Sequence, residues 1–450
     1  MAGVVTVVTG PVTAPLHTVF TPRTLGFVGP VEGFNVYVTL GYYPEGSPIA
    51  RWDVALWDTA AAVWQGAPPD VDVSCQVIDV RITRGRDQPL DRFRTGTCTV
   101  TINDPLGEFS PWRTAPDPAQ YATVRPGITL AVWVLDADGT SHRPRFAGRV
   151  DSIVDSWPMA SPDLDAPHRV TFMASDFLAD LAVFDGVESP PAGAGELSGA
   201  RIGRVLANAR YTGPTSVDPG TVTLQATTLA KNALDECGMV NDTERGAFFC
   251  DAAGVITFRD RNGLVGDEHY TTVQAVFGEH PEDFGDLTEM CYDEIRLASD
   301  GTKIRNLVTI AREGGTAVTV SDDTSRALYG TATFRRLDLI HTNDAESAVI
   351  ANDQLQQFAY AANRVESLRT SAVVHPDNLA KLLVLDVLWL IEVRRRTRGF
   401  QVIAQLQIQG IEETISADAW TFTFRTFAAS DVFGVARWDR GAWDSALWGY

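Results

Sequence analysis

Between Thr97 and Ile102 the chain reads Thr-Cys-Thr-Val-Thr-Ile, so Cys98, Val100 and Ile102 share one face and the threonines the other. Alternation with period two is the mark of a half-buried strand. Upstream, Val71, Val73, Cys75 and Val77 hold one phase, while Ile78, Val80 and Ile82 hold the opposite one. A strand changes phase in this way only through a bulge or a switch of buried face. Ile128 to Leu135 is apolar on both faces, the pattern of a central strand, and Asp136-Ala-Asp-Gly139 follows as a hairpin turn. Phe146–Val154 and His168–Ala174 read as further strands before a short helix from Ser175 that offers Phe177, Leu178 and Leu181 for burial.

Helical spacing takes over after Pro190 to Gly199, whose Pro, Gly, Ala and Ser read as a linker. The pattern predicts helices near Ala200–Arg210 and Leu224–Cys237, the second stopped by Gly238. Ala247–Cys250 and Val255–Phe258, flanking Asp251-Ala-Ala-Gly254, predict a hairpin. Asn306–Ile310 and Ala317–Val320 bracket Arg312-Glu-Gly-Gly315 as another, and Ser321 to Tyr329 reads as a polar, turn-rich crossing with Asp322-Asp323 as turn residues. Asn343 with Glu346 forms a capping-box start for a long helix to about Leu368, with Val349, Ile350, Phe358, Ala362 and Val365 available for burial. Val387, Trp389, Ile391 and Val393 alternate again, followed by Phe400–Ile408 and Trp420–Phe427.

These patterns divide the chain into a Val-, Thr-, Gly- and Pro-rich extended segment (1–48), a tryptophan-rich stretch and linker (49–70), a β-domain (71–190), a small α/β module (191–300), a second β-domain (301–430) and a tryptophan-rich tail (431–450). A length of 450 residues and 45% hydrophobic content accommodate roughly three such domains with a sizeable core.

The two tryptophan-rich stretches share a string. Trp-Asp-x-Ala-Leu-Trp occurs at Trp52–Trp57 and at Trp443–Trp448, an Arg-Trp-Asp opens the first box and stands just before the second, and Trp64 and Trp438 complete the sets. A large apolar ring with one polar handle suits an interface anchor, so Trp52, Trp57, Trp64, Trp438, Trp443 and Trp448 are candidate protein-docking residues. The competing reading is that each tryptophan plugs a local core. Two boxes so far apart do not make a WD-repeat propeller.

Charge and chemistry narrow the function further. There are 57 acidic against 37 basic side chains, a formal net charge of −20, which disfavours nucleic-acid binding through clustered cations. All the basic residues except Lys231, Lys303 and Lys381 are arginine. The five cysteines at 75, 98, 237, 250 and 291 show no Cys-x-x-Cys, so neither a structural zinc nor a disulfide framework is expected, and Cys98 reads as a small buried hydrophobe. The histidines at 17, 142, 168, 269, 280, 341 and 375 form no metal-ligand spacing; His269 and His280 near Glu279 and Glu282 are the nearest thing to a cluster and read as a loop. There is no Gly-x-Ser-x-Gly elbow and no Walker-type loop, and acidic pairs such as Glu412-Glu413 are expected by chance among so many carboxylates. No cofactor and no catalytic set is expected. Met1 to Gly10 lack a basic export start, and Leu382–Val393 is too short and too charged to span a bilayer, so the expectation is a soluble protein made in the cytoplasm without membrane insertion.

A further set of strings carries a resemblance. Asp79-Val-Arg-Ile-Thr-Arg-Gly85, Thr99-Val-Thr-Ile-Asn-Asp-Pro-Leu-Gly107, Phe146-Ala-Gly-Arg-Val-Asp-Ser152 and Val170-Thr-Phe-Met-Ala-Ser-Asp176 lie in the first half. Ile304-Arg-Asn-Leu-Val-Thr309, Asp322-Asp-Thr-Ser325, Tyr329-Gly330 and Gln409-Gly-Ile-Glu-Glu413 before Trp420 lie in the second. In their order and spacing, over about residues 72 to 428, they resemble the baseplate-hub or tail-tip hub proteins of tailed phages, often labelled minor tail proteins in phages of actinobacteria.

The resemblance implies a mainly β fold with α+β parts: two tail-tube-like β-barrel or sandwich domains, each with a packing helix, plus the small α/β module. It implies a homotrimer whose six barrels match a hexameric tail tube, at the tail tip of a virion assembled in the host cytoplasm. Its partners are then the distal tail or tail-tube protein, the tape-measure protein and other tail-tip or receptor-binding proteins, with DNA only as passing cargo. An acidic surface suits such a passage, because like charge keeps a polyanion from sticking. Some relatives carry a C-terminal peptidase or glycosidase pattern; here the second tryptophan box stands instead, so a structural rather than lytic part is expected. A carbohydrate- or receptor-binding tip module is the alternative reading, and a cell-wall hydrolase the third.

Overall fold

A computed structural model describes residues 27–28, 30–41, 70–87, 91–112, 124–156, 168–184, 188–279, 289–396 and 402–429. Most strands join one large, predominantly antiparallel sheet built in two halves. In the first half Asn35–Gly41, Thr129–Leu135, His142–Ser156, Arg169–Asp176, Arg94–Asn103 and Val77–Gly85 lie side by side in that order. The phase slip predicted near Val77 is a bulge: Val77 pairs with Ile102 and Asp79 with Thr101, leaving Ile78 as the extra residue. Just before it, Ser74–Gln76 makes a short 3-10 turn. Asp70–Asp72, ahead of that turn, pairs with Asn35–Gly41, so one kinked segment touches both ends of the meander. The hydrogen-bonded path stays open among the described residues, and the sheet is not a closed barrel.

The second half runs Glu294–Asp300, Ala362–Ser371, Trp420–Ala428, Val402–Ser416, Leu390–Arg395, Ala275–Gly278. The long Val402–Ser416 strand unites the halves. One side of it pairs with Trp420–Ala428; the other pairs first with Leu390–Arg395 and then, from Gly410 to Ser416, with Val77–Gly85. One hydrophobic core therefore runs from Val80, Val100, Val132 and Phe172 into Ile411, Ile415, Trp420, Phe422 and Phe424. Each of these large side chains contributes roughly 1.5–3 kcal/mol by leaving water.

Two smaller units flank the sheet. Helices Ser198–Asn208 and Ala233–Glu244 pack with the Ala247–Cys250/Ile256–Arg259 hairpin, and Leu178 and Leu181 of helix Leu178–Val183 join their core. Strands Leu307–Arg312, Val318–Ser321 and Thr333–Leu339 carry helix Asp344–Phe358 on one face.

Several expectations change. The helix read as Leu224–Cys237 begins only at Ala233, capped by Asn232, because Thr223–Leu224 and Thr227–Leu229 are taken into short strands. It passes through Gly238 to Glu244 rather than stopping there. A Cβ at Gly238 would lie 2.6 Å from the Arg92 guanidinium, which crosses the helix here to reach Asp235 and Asp242. Asn343 does cap the long helix, accepting from the Ala345 N–H, but the helix ends at Phe358 rather than Leu368. Ala362–Ser371 is a strand held on both sides, by Glu294–Asp300 and Trp420–Ala428, and this long-range pairing overrides a helical spacing that Phe358, Ala362 and Val365 meet by coincidence. Val349 faces solvent. Asp322 is not a plain turn residue but the N-cap of helix Asp323–Tyr329. The linker read at 190–199 overlaps the paired strands Glu188–Ala192 and Glu196–Leu197. Thr129–Leu135 is central, yet only Leu130, Val132 and Val134 are fully buried; Trp133 lies on the half-buried face, stacked on Tyr37 at 4.1 Å.

Candidate functional site

The candidate docking residues Trp52, Trp57, Trp64, Trp438, Trp443 and Trp448 lie outside the described residues. The resemblance strings lie inside them, and they converge.

Asp79–Gly85 and Gln409–Glu413 are the two strands that seal the halves together. Gly85 has φ +102°, and a Cβ there would lie 2.3 Å from the Gln409 carbonyl oxygen, so only glycine lets the backbones close at this point. Behind the seam, Arg145 of the first half donates from Nε to Glu413 Oε2 of the second at 2.8 Å and from Nη1 to the Leu383 carbonyl at 2.9 Å. The Trp420 indole N–H donates to the other Glu413 oxygen at 2.9 Å. Both members of the ion pair are buried, and Arg145 also lies over the Phe422 ring. Nearby, Arg84 donates to Asp386 at 2.8 Å, and Arg86 donates to the Gln409 amide oxygen at 2.8 Å while lying over Phe93. Asp176, closing another string, accepts from the Gly96 and Leu178 backbone N–H groups, and burial pushes its carboxyl up to about 7.

The strings Ile304–Thr309, Asp322–Ser325 and Tyr329–Gly330 meet at one fully buried side chain. The Asn306 amide nitrogen donates to Ser325 Oγ and the Gly330 carbonyl, and its oxygen accepts from the Ala332 N–H.

Thr99–Gly107 ends in a braced loop. The Asp104 carboxylate accepts from the Glu108 and Phe109 N–H groups at 2.8 Å each, and His168 beneath it joins the Asp104 carbonyl to the Asp155 carboxylate. Ser110 Oγ donates to the same Asp155. The His168 imidazole is held above its ordinary range: burial alone would lower it, but hydrogen bonds to Asp155 and the Asp104 carbonyl outweigh that. Serine, aspartate and histidine are thus together, with the hydroxyl donating to the carboxylate. The loop instead holds Leu106 and Trp112 in solvent, 78% and 83% exposed.

His269 is bonded to Asp267 and packs on Trp389, while His280 and Glu282 lie outside the described residues. Among the described residues no group of three His, Cys, Asp or Glu side chains is placed to hold a metal ion, and no helix is long and apolar enough to cross a membrane. Cys75, Cys98, Cys237 and Cys250 are free thiols. Sequence reading missed Arg145, and it included Asn306 only within a strand and a resemblance string, with no role of its own. It passed over Glu413 as one of two adjacent acids, although Glu413 faces the core and Glu412 pairs with Arg425.

No protein-family model matches the sequence, and no curated protein sequence matches it. Solved structures do. The 43 kDa tail protein of prophage MuSo2 from Shewanella oneidensis superimposes with a TM-score of 0.51 at 12% identity, over 88% of this chain and 98% of its own. A tail protein from Neisseria meningitidis MC58 gives 0.54 at 11% identity, over 89% and 99%. The chain has a phage tail-protein fold. It is mainly β with α+β parts.

Proposed function

We propose that this chain is a structural, non-catalytic part of a phage tail: a homotrimeric hub at the distal end that joins the tail tube to the tip and forms part of the DNA passage. The observation that carries the reading is the fold, shared over nearly the full length of two phage tail proteins. The polar seam supports it, because two β units locked by a buried, hydrogen-bonded ion pair present a fixed geometry to a ring of neighbours. In this reading each chain supplies two ring positions, and the chain's partners are two further copies, the distal tail or tail-tube protein, the tape-measure protein and other tip proteins. Its place is the virion tail tip, and the net charge of −20 suits a lumen through which DNA passes without sticking. The six tryptophans at positions 52, 57, 64, 438, 443 and 448 serve as docking anchors at an assembly surface.

Light scattering across a concentration series tests the hub, with a trimer as the expected mass. A persistent monomer that also fails to co-sediment with tail-tube protein refutes it. Truncation of Arg437 to Tyr450 is expected to leave the melting transition in place and to block assembly. A truncated chain that unfolds would return the tryptophans to the role of local core.

A further inference from the structure

Where the sheet seam, the α/β module and the Leu307–Leu339 unit meet, they line a cavity of about 140 Å³ that opens to solvent. Four arginines line it, in a protein that is strongly acidic overall. Two of them are matched: Arg336 pairs with Asp242, and Arg245 with Asp353. Asp242 is shared further with Arg92. Arg86 and Arg305 are not matched in this way. Arg86 is 6% exposed, and its side-chain partners among the described residues are the Gln409 amide and the Asp91 backbone carbonyl. Arg305 donates to the Gln354 amide oxygen at 2.8 Å and lies 3.8 Å over the Phe334 ring. One carboxylate, Asp91, is near enough to influence both.

Asp242, already shared by Arg336 and Arg92, also acts on Arg86, so two guanidiniums bonded directly to neutral partners depend on carboxylates that other arginines use, and positive charge stays short of counterions in a partly dry space. Burial lowers both, Arg86 to about 9 and Arg305 to about 10, because the nearby carboxylates offset desolvation only in part. Two further groups of the wall lack protein partners among the described residues: the Gln357 side-chain nitrogen and the Asn241 side-chain oxygen, the latter on a residue 6% exposed. The Gln357 nitrogen is a donor, and an amide rotation makes Asn241 one too.

We propose that this cavity binds a small oxyanion of the phosphate or sulfate class, held by Arg86 and Arg305 with the Gln357 and Asn241 amides. Its volume accepts one such ion with a few waters. Because its walls come from all three units, the ion acts as a clamp between them and stabilises the folded chain by mass action. The site stands whether or not the tail reading holds.

The test is thermal unfolding of the full purified chain in rising inorganic phosphate or sulfate, with sodium chloride keeping ionic strength constant. The expected result is a saturable rise in Tm with either oxyanion and none with chloride. Gln354→Glu places a carboxylate on Arg305 in the same volume. It is expected to raise Tm without added anion and to abolish the phosphate response, and Arg305→Gln to abolish the response as well. If Arg305→Gln fails to fold, Gln354→Glu alone decides. A wild-type chain that responds no differently to phosphate, sulfate and chloride overturns the proposal. So does a Gln354→Glu chain that keeps the full phosphate response.

Discussion

Glu413→Ala is the sharpest probe of how the two halves are held. The substitution strips Arg145, whose side chain is 2% exposed, of its only carboxylate bond among the described residues, and Trp420 of its acceptor. Breaking a buried ion pair from one side costs about 3–5 kcal/mol, because a desolvated charge is left uncompensated. The orphaned indole N–H adds about 1 kcal/mol or more. With a urea slope of roughly 3 kcal/mol per molar, a loss of about 4 kcal/mol lowers the unfolding midpoint by more than about 1 M. The pair bridges the halves, so its loss is also expected to uncouple them and to split one transition into two. The assay is urea unfolding followed by tryptophan fluorescence and by far-UV circular dichroism, since non-coincident curves reveal the split. Replacing both partners, Arg145→Met with Glu413→Leu, removes the stranded charge and is expected to recover most of the loss. A Glu413→Ala midpoint within about 0.3 M of wild type, with coincident curves, would refute the reasoning.

Three other outcomes follow from the same structure. Gly85→Ala forces a side chain into the left-handed region and against the Gln409 carbonyl, and a stability loss of about 2–3 kcal/mol is expected in the same urea assay. For His168 the folded imidazole is raised above its unfolded value near 6.5, so its contribution is complete below pH 6.5 and is lost as pH rises through the folded value. The difference in Tm between wild type and His168→Asn, measured from pH 5.5 to 9, is therefore expected to shrink as pH rises; a difference that grows would contradict the buried imidazolium. Burial pushes the thiols of Cys98, Cys237 and Cys250 upward, whereas Cys75 is exposed. A thiol reagent at pH 8 is expected to label Cys75 within minutes and those three only after denaturation.

What the sequence discloses about this fold depends on the range of the interaction involved. Alternation at Thr97–Ile102 and the phase slip at Val77 are local, and both appear in place as a strand and a bulge at Ile78. Helix ends were less legible, because long-range contacts set them: Gly238 stays helical to make room for Arg92, and Ala362–Ser371 becomes a strand because two partners from elsewhere in the chain flank it. The seam shows the limit most clearly. Glu413 is one of 57 acidic residues, and nothing near it in sequence marks it. It acquires a role only when Arg145, 268 residues away, arrives from the other half. Short strings around both residues were nevertheless recognisable as a set, and the structure supplies the reason: Gly85, Gln409–Glu413 and Trp420 must all fit one another for the sheets to join. Residues that brace an architecture are constrained in groups, so they can be read as a pattern even where no single one carries chemistry.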